Sequence, residues 1–84
     1  MTDEEYEIID QLYFVVGYAE LAGSATLQPA VIQQVLWNII EKGWVKCLSG
    51  PETEIWPDES EFARNYSNYY YLATKKGLFK HNEL

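Results

Sequence analysis

The sequence predicts a small single α+β domain, in which three helical segments lead into two antiparallel strands and a short helix follows. Apolar residues recur at helical spacing before residue 42, and two short runs rich in β-branched and aromatic residues come after it. With 84 residues, 48% of them hydrophobic, the chain is long enough to bury one core and too short for two. We therefore expect residues 1–84 to form one domain.

The first helix is predicted to begin at residue 3, because Thr2 is a hydroxyl N-cap and the three acids that follow suit the positive end of the helix dipole. Its core-facing stripe consists of Ile8, Ile9, Leu12, Val15, Val16 and Ala19. A second apolar strip, on nearly the opposite side, contains Phe14, Tyr18 and Leu21. Gly17 is the candidate for a break before a short second helix over residues 18–22.

A third helix is predicted from Pro29, a residue favoured at the first helical position, to about Lys42. Its core stripe consists of Ile32, Leu36, Ile39 and Ile40, with Val35 on its flank. The opposite face carries Gln33, Gln34, Asn38 and Glu41. Gly43 follows as a left-handed C-terminal cap, so the chain is expected to reverse there.

Residues 44–48 and 69–73 have the composition of strands, the second being rich in aromatic residues that suit a half-buried pleated surface. Residues 52–68 between them are acid-rich and are predicted to form a long loop with room for one helical turn. Thr74 has the character of an N-cap for a short terminal helix through His81.

Three short segments of this chain resemble sequence motifs of the winged helix-turn-helix domain of MarR-type and PadR-type regulators. They are Tyr18-Ala-Glu-Leu-Ala22, Glu41-Lys-Gly-Trp-Val45 after an apolar helix, and Tyr70-x-Leu72-x-Thr74-x-x-Gly77-Leu78. The resemblance covers most of residues 4–81 and lies at the level of the fold. It implies a winged-helix domain with a two-stranded β-wing, in which the helix over residues 29–42 occupies the position of the DNA-recognition helix.

The charge of the chain argues against DNA binding as its main function. Thirteen Asp and Glu residues stand against 6 Lys and Arg, for a net charge of -7, and the predicted wing is strongly acidic. Phosphate binding depends on Lys and Arg, so a transcriptional regulator is the alternative function and not the leading one. Its base and backbone contacts would come from Gln33, Gln34, Asn38, Lys42, Lys46, Lys75 and Lys76.

The aromatic content favours contact with a protein. Tyr, Trp and Phe make up 15% of the chain, and such residues are the usual anchors of protein interfaces when a small core cannot absorb them. The candidates are Phe14, Tyr18, Leu21, Trp37, Trp44, Trp56, Tyr69 and Tyr71. We expect an interaction or regulatory module that binds a partner protein or a second copy of itself.

Catalysis, a cofactor and a metal site are not predicted. One His and one Cys supply no recognisable nucleophile and base; Cys47 is expected to point inward, and His81 to be solvated in the last helical turn. The acids of the predicted wing lack the spacing of a calcium loop. A lone cysteine, and apolar runs too short for a membrane span, predict a cytoplasmic protein without membrane contact.

Overall fold

The computed structural model describes residues 1–83, and these form a small α+β domain. Within them the α-helices are α1 (Asp3–Asp10), α2 (Tyr18–Ser24), α3 (Pro29–Glu41), α4 (Glu59–Asn65) and α5 (Lys75–His81). The strands are β1 (Val16–Gly17), β2 (Val45–Gly50), β3 (Thr53–Ile55) and β4 (Tyr70–Ala73). A 3₁₀ turn over Tyr66–Asn68 follows α4.

The strands form one antiparallel sheet in the order β1-β4-β2-β3. The two predicted strands correspond to β2 and β4, which pair at the centre of the sheet with Val45 opposite Ala73 and Leu48 opposite Tyr70. The prediction of only two strands is wrong, because β1 adds to the outer side of β4 and β3 to the outer side of β2. The predicted number of helices is also too low, since α4 lies within the segment expected to be a loop.

Helix α1 begins as predicted but ends earlier. Thr2 accepts a hydrogen bond from the Glu5 N–H, and the Glu5 side chain accepts one from the Thr2 N–H, a reciprocal cap. The helix ends at Asp10, because the Leu12 carbonyl accepts the N–H of Ala73 and Val16 pairs with β4. Residues 13–16 are β-branched or aromatic, so the sheet is a favourable alternative for their backbone.

The early end of α1 means that only the N-terminal half of the predicted core-facing stripe is buried in the core. Ile8, Ile9 and Leu12 are fully buried, whereas Val15 and Ala19 are exposed. The second strip is not a helix face at all, since Phe14 lies in the connection to β1 and Leu21 lies in α2. Gly17 is the N-cap residue of α2, so the break begins at Gln11 and is longer than expected.

Helix α3 is confirmed from Pro29 onward. Ile32, Val35, Leu36 and Ile39 are buried, and Ile40 is half-buried. Gly43 has a φ of 75°, the left-handed conformation expected of a C-terminal cap, and the next N–H, that of Trp44, donates to the Ile39 carbonyl. This tight reversal places β2 directly beneath the helix.

The segment predicted to be a loop contains β3 and α4. Asp58 and Glu61 form a second reciprocal cap, which starts α4. Phe62 extends from α4 into the core, where it is 1% exposed. That single aromatic residue anchors the helix, because α4 is short and its exposed positions are mostly polar.

Helix α5 is held against the turn between α3 and β2. The Thr74 hydroxyl donates to the Gly43 carbonyl at 2.6 Å and accepts the N–H of Gly77 at 3.1 Å, while the Thr74 N–H donates to the Trp44 carbonyl. A methyl group at Gly77 would overlap that same carbonyl oxygen. Glycine at residue 77 therefore allows α5 to approach the Trp44 backbone.

Candidate interaction surfaces

The outward face of α3 carries the predicted base-reading residues and is partly covered. Gln34 is exposed, while Gln33 and Asn38 are half-buried. The Gln34 Nε2 atom donates to the Asn38 Oδ1 atom at 3.3 Å. Helix α4 packs beside this face, with the ring centroids of Trp37 and Phe62 5.3 Å apart. Helix α4, whose first turn carries Glu59 and Glu61, therefore lies beside the face of α3 that holds the predicted base-reading residues.

A cleft of about 230 Å³ opens between α3 and α4. It is lined by Gln33, Gln34, Trp37, Glu59, Phe62 and Ala63. Trp37 is half-buried and Phe62 is buried, so aromatic carbon lies at the base of the cleft and polar side chains lie at its rim. We name this site the α3–α4 cleft.

Lys42, the predicted recognition helix's one cation, is already engaged within the chain. Its Nζ atom lies 2.6 Å from the Oε2 atom of Glu5, whose side chain is 4% exposed, and 4.7 Å from the centroid of the Trp44 ring. Burial alone would raise the pKa of Glu5, but the hydrogen bonds from Lys42 and Thr2 outweigh it, and the pKa lies below its usual value. Lys42 thus neutralises a buried carboxylate.

The remaining predicted DNA contacts are lysines outside α3. Lys46 lies in β2, is half-buried and lines a second cleft of about 230 Å³ beside Trp56 and Ile40. Lys75 and Lys76 occupy the first turn of α5 and are exposed. The helix dipole attracts anions, not cations, to such a turn, so these lysines add positive charge at an already positive helix end.

The eight predicted interface residues separate into three groups. Leu21 and Tyr71 are fully buried and Trp44 is 9% exposed, so these three belong to the core and cannot meet a partner. Tyr18, Trp37 and Tyr69 are half-buried and pack against the core. Phe14 and Trp56 are each 81% exposed. Tyr6, Tyr13 and Phe79 are also exposed, and they are not among the predicted interface residues.

His81 is buried rather than solvated. It is 6% exposed, and its ring stacks on Tyr6 with the centroids 4.1 Å apart. Its Nε2 atom lies 3.1 Å from Asp10 Oδ1 and its Nδ1 atom 2.9 Å from the Tyr13 hydroxyl. Helical spacing is the sequence feature that indicates this burial. His81 follows Gly77 by four residues, so the two lie on the same face of α5, and that face is buried.

These contacts make His81 the link between α5 and α1. A neutral ring that donates from Nε2 to Asp10 accepts from the Tyr13 hydroxyl at Nδ1. The Tyr13 hydroxyl oxygen also lies 3.4 Å from the Asn82 Oδ1 atom, which is the alternative acceptor for its single proton. The cluster satisfies its own polar atoms, which is what a structural histidine requires.

Cys47 is buried as expected, and burial raises its pKa to about 12. Among residues 1–83, no group of His, Cys, Asp and Glu side chains is arranged to hold a metal ion. In the same part of the chain, no helix combines the length and apolar character that a membrane crossing requires. Comparisons of the chain with protein-family models, curated proteins and solved structures give no match.

Proposed function

We propose that this chain is a small acidic protein-interaction module with a winged-helix arrangement. The arrangement is supported by the order of its elements: α2 and α3 lead into the central β2–β4 pair, and α5 follows β4. Helix α4 is an insertion between β3 and β4 where the resemblance implies a wing loop.

The observation that carries this function is the packing of α4 on α3. It brings Glu59 to the same cleft as Gln33 and Gln34, the residues that a DNA reader would present to bases. A carboxylate at that position repels phosphate, and Lys42 does not compensate because Glu5 already pairs with it. The helix is better suited to a protein surface than to a major groove.

Exposed aromatic residues supply the anchors that such a function needs. Phe14 and Trp56 leave nearly their whole side chains in solvent, and burial of large rings is the main source of affinity at protein interfaces. Trp56 has Glu52, Glu54 and Asp58 as near neighbours in the sequence, and Glu54 and Lys46 line the cleft beside it. A partner with a basic, apolar contact surface is the one that fits.

The test pairs DNA retention with crosslinking. We expect no retention of the chain on duplex DNA even at low salt, and we expect a photo-crosslinking amino acid at residue 56 to form adducts with protein in the source cells. Low-salt retention that is abolished by Lys42→Ala and Lys46→Ala, or adducts with nucleic acid, would establish the transcriptional regulator instead.

A homodimer and a cytoplasmic location remain parts of this proposal. Phe14→Asp leaves the core untouched because Phe14 is exposed, so it tests the dimer directly. A fall in sedimentation mass to that of the monomer supports the dimer, and an unchanged mass removes Phe14 from any contact between copies. The free, buried thiol of Cys47 is consistent with a reducing compartment.

A further inference from the structure

We infer that the α3–α4 cleft is a binding site for an arginine side chain from a basic segment of a partner protein. The inference rests on the proposed function, because it names the chemistry of the partner. The site combines three features that a guanidinium group requires: an aromatic surface, a carboxylate and neutral oxygen acceptors.

The aromatic surface is the half-buried indole of Trp37 in α3. It packs on Phe62 of α4 with the ring centroids 5.3 Å apart, and Phe62, which is 1% exposed, supports the indole from within the core. Their rings are tilted by 34° to each other, and Phe62 packs in turn against Tyr66 and Tyr71. These contacts fix the rings before a ligand arrives. A guanidinium ion is planar and weakly hydrated, so it stacks on such a surface and gains a cation–π interaction with the indole.

The acceptors surround the same cleft. Glu59 lies in the first turn of α4 and is exposed, and its carboxylate can receive two N–H groups of a guanidinium fork. Gln34 uses its Nε2 atom to donate to Asn38, which leaves its Oε1 atom as an acceptor. Gln33 adds a second amide at the rim. One charged and two neutral acceptors match the several donors of arginine better than the single ammonium group of lysine.

The negative charge around the cleft favours a cationic ligand over an anionic one. Asp58 and Glu61 flank Glu59 at the start of α4, so an anionic ligand or a nucleic-acid phosphate would be repelled. A second copy of the chain has one arginine to offer, Arg64, and its Nη1 atom already donates to Ser60 within α4 at 2.8 Å. A foreign arginine therefore fits this cleft better than a copy of the chain does.

The experiment uses a short Gly-Ser peptide with one central arginine, added to the full chain and followed by ¹H–¹⁵N NMR. We expect the Trp37 indole N–H and the side-chain amides of Gln33 and Gln34 to shift in a saturable way. The same peptide with citrulline has nearly the same shape and no charge, and we expect it to leave these signals in place. A lysine peptide is expected to bind about threefold more weakly.

Two variants that each remove one negative charge distinguish binding in the cleft from nonspecific attraction of the peptide to an acidic chain. Glu59→Gln removes the carboxylate at the rim and should weaken the arginine peptide about fivefold. Glu52→Gln removes one charge from an exposed position outside the cleft and should change the affinity less than twofold. Trp37→Leu should weaken binding too, but Trp37 also contacts Phe62, so Glu59→Gln is the decisive variant.

Three results would overturn the inference: equal binding of the citrulline peptide, equal effects of Glu59→Gln and Glu52→Gln, or a dimer that Arg64→Gln dissociates by emptying the cleft. Failure here is distinguishable from failure of the proposed function. If residue 56 crosslinks to protein while the arginine peptide leaves the cleft signals unchanged, only the arginine site is lost. If the adducts are with nucleic acid, the interaction module is lost as well.

Discussion

The Nζ atom of Lys42, at the C-terminus of α3, lies 2.6 Å from a carboxylate oxygen of Glu5, in the first turn of α1. Glu5 also caps its own helix through Thr2, so one buried side chain ties the start of α1 to the end of α3. The cation is placed favourably at a helix C-terminus and over the Trp44 ring. Lys42, which the sequence predicted as a DNA contact, therefore forms an ion pair that stabilises the fold.

Replacement of Lys42 by Met should lower the free energy of unfolding by about 1–2 kcal/mol, because it leaves the buried Glu5 carboxylate without its charged partner. Urea unfolding followed by tryptophan fluorescence measures the change. Lys76→Met is the matched control, since Lys76 is exposed and is expected to change stability by less than about 0.5 kcal/mol. Equal effects of the two variants would contradict the role of the ion pair.

Stability should fall on acidification through Glu5. Its pKa is lower in the folded chain, so the unfolded chain binds the proton more readily, and stability rises with pH in this range. The contribution is complete above the pKa of an unfolded glutamate, about 4.3, and is lost as pH falls through the lower folded value. Glu5→Gln keeps the helix cap and should flatten this dependence.

Glu4→Gln provides the comparison for that acid dependence. Glu4 occupies the same helical turn but is exposed, so this variant should keep the fall in stability between about pH 5 and pH 3. Unfolding free energies measured over the acid range for the three chains decide the matter. A Glu5→Gln chain that loses stability as steeply as wild type would assign the acid response to other carboxylates.

Gly77→Ala should destabilise the chain by about 3 kcal/mol or more, because the added methyl group meets the Trp44 carbonyl oxygen and forces α5 away from the sheet. Gly23→Ala is the matched control in another helix, where a methyl group would have nothing within 4 Å. That change should be neutral or stabilise by about 0.5–1 kcal/mol. Thermal unfolding by circular dichroism distinguishes the two, and similar melting temperatures would contradict the close packing.

His81→Ala should cost about 2–3 kcal/mol, since it removes two hydrogen bonds and a stacked ring from a buried position. Tyr13→Phe removes only the hydroxyl and should cost about 1 kcal/mol. The two variants are compared by chemical unfolding near neutral pH. A His81→Ala chain as stable as wild type would mean that α5 is held mainly by Thr74 and Gly77.

Local patterns predicted the elements whose determinants lie close together in the chain. The Thr2 cap, the apolar stripe of α3 and the left-handed Gly43 each act within a few residues, and each is present as expected. The Thr74 cap at the start of α5 belongs to the same class. Helix propensity, capping and periodicity are properties of short windows, so a single sequence is sufficient to find them.

Tertiary structure decided the features that depend on distant partners. Residues 11–16 continue the apolar stripe of α1, yet the Leu12 carbonyl accepts a hydrogen bond from Ala73 of β4 and Val16 pairs with the same strand. Periodicity contains no information about that competition. The buried state of His81 depends on Asp10 and Tyr13, about seventy positions earlier. Likewise α4 is stable because Phe62 reaches Trp37 and Tyr71.

The same division applies to the candidate site. Composition alone showed that the chain is acidic and rich in aromatic residues, and on that basis it predicted a protein partner rather than DNA. Which aromatic residues are exposed, and that Glu59 joins Gln33, Gln34 and Trp37 in one cleft, required the packing of α4 on α3. Charge and composition are sums over the chain, whereas a binding site is a relation between residues that only the folded chain brings together.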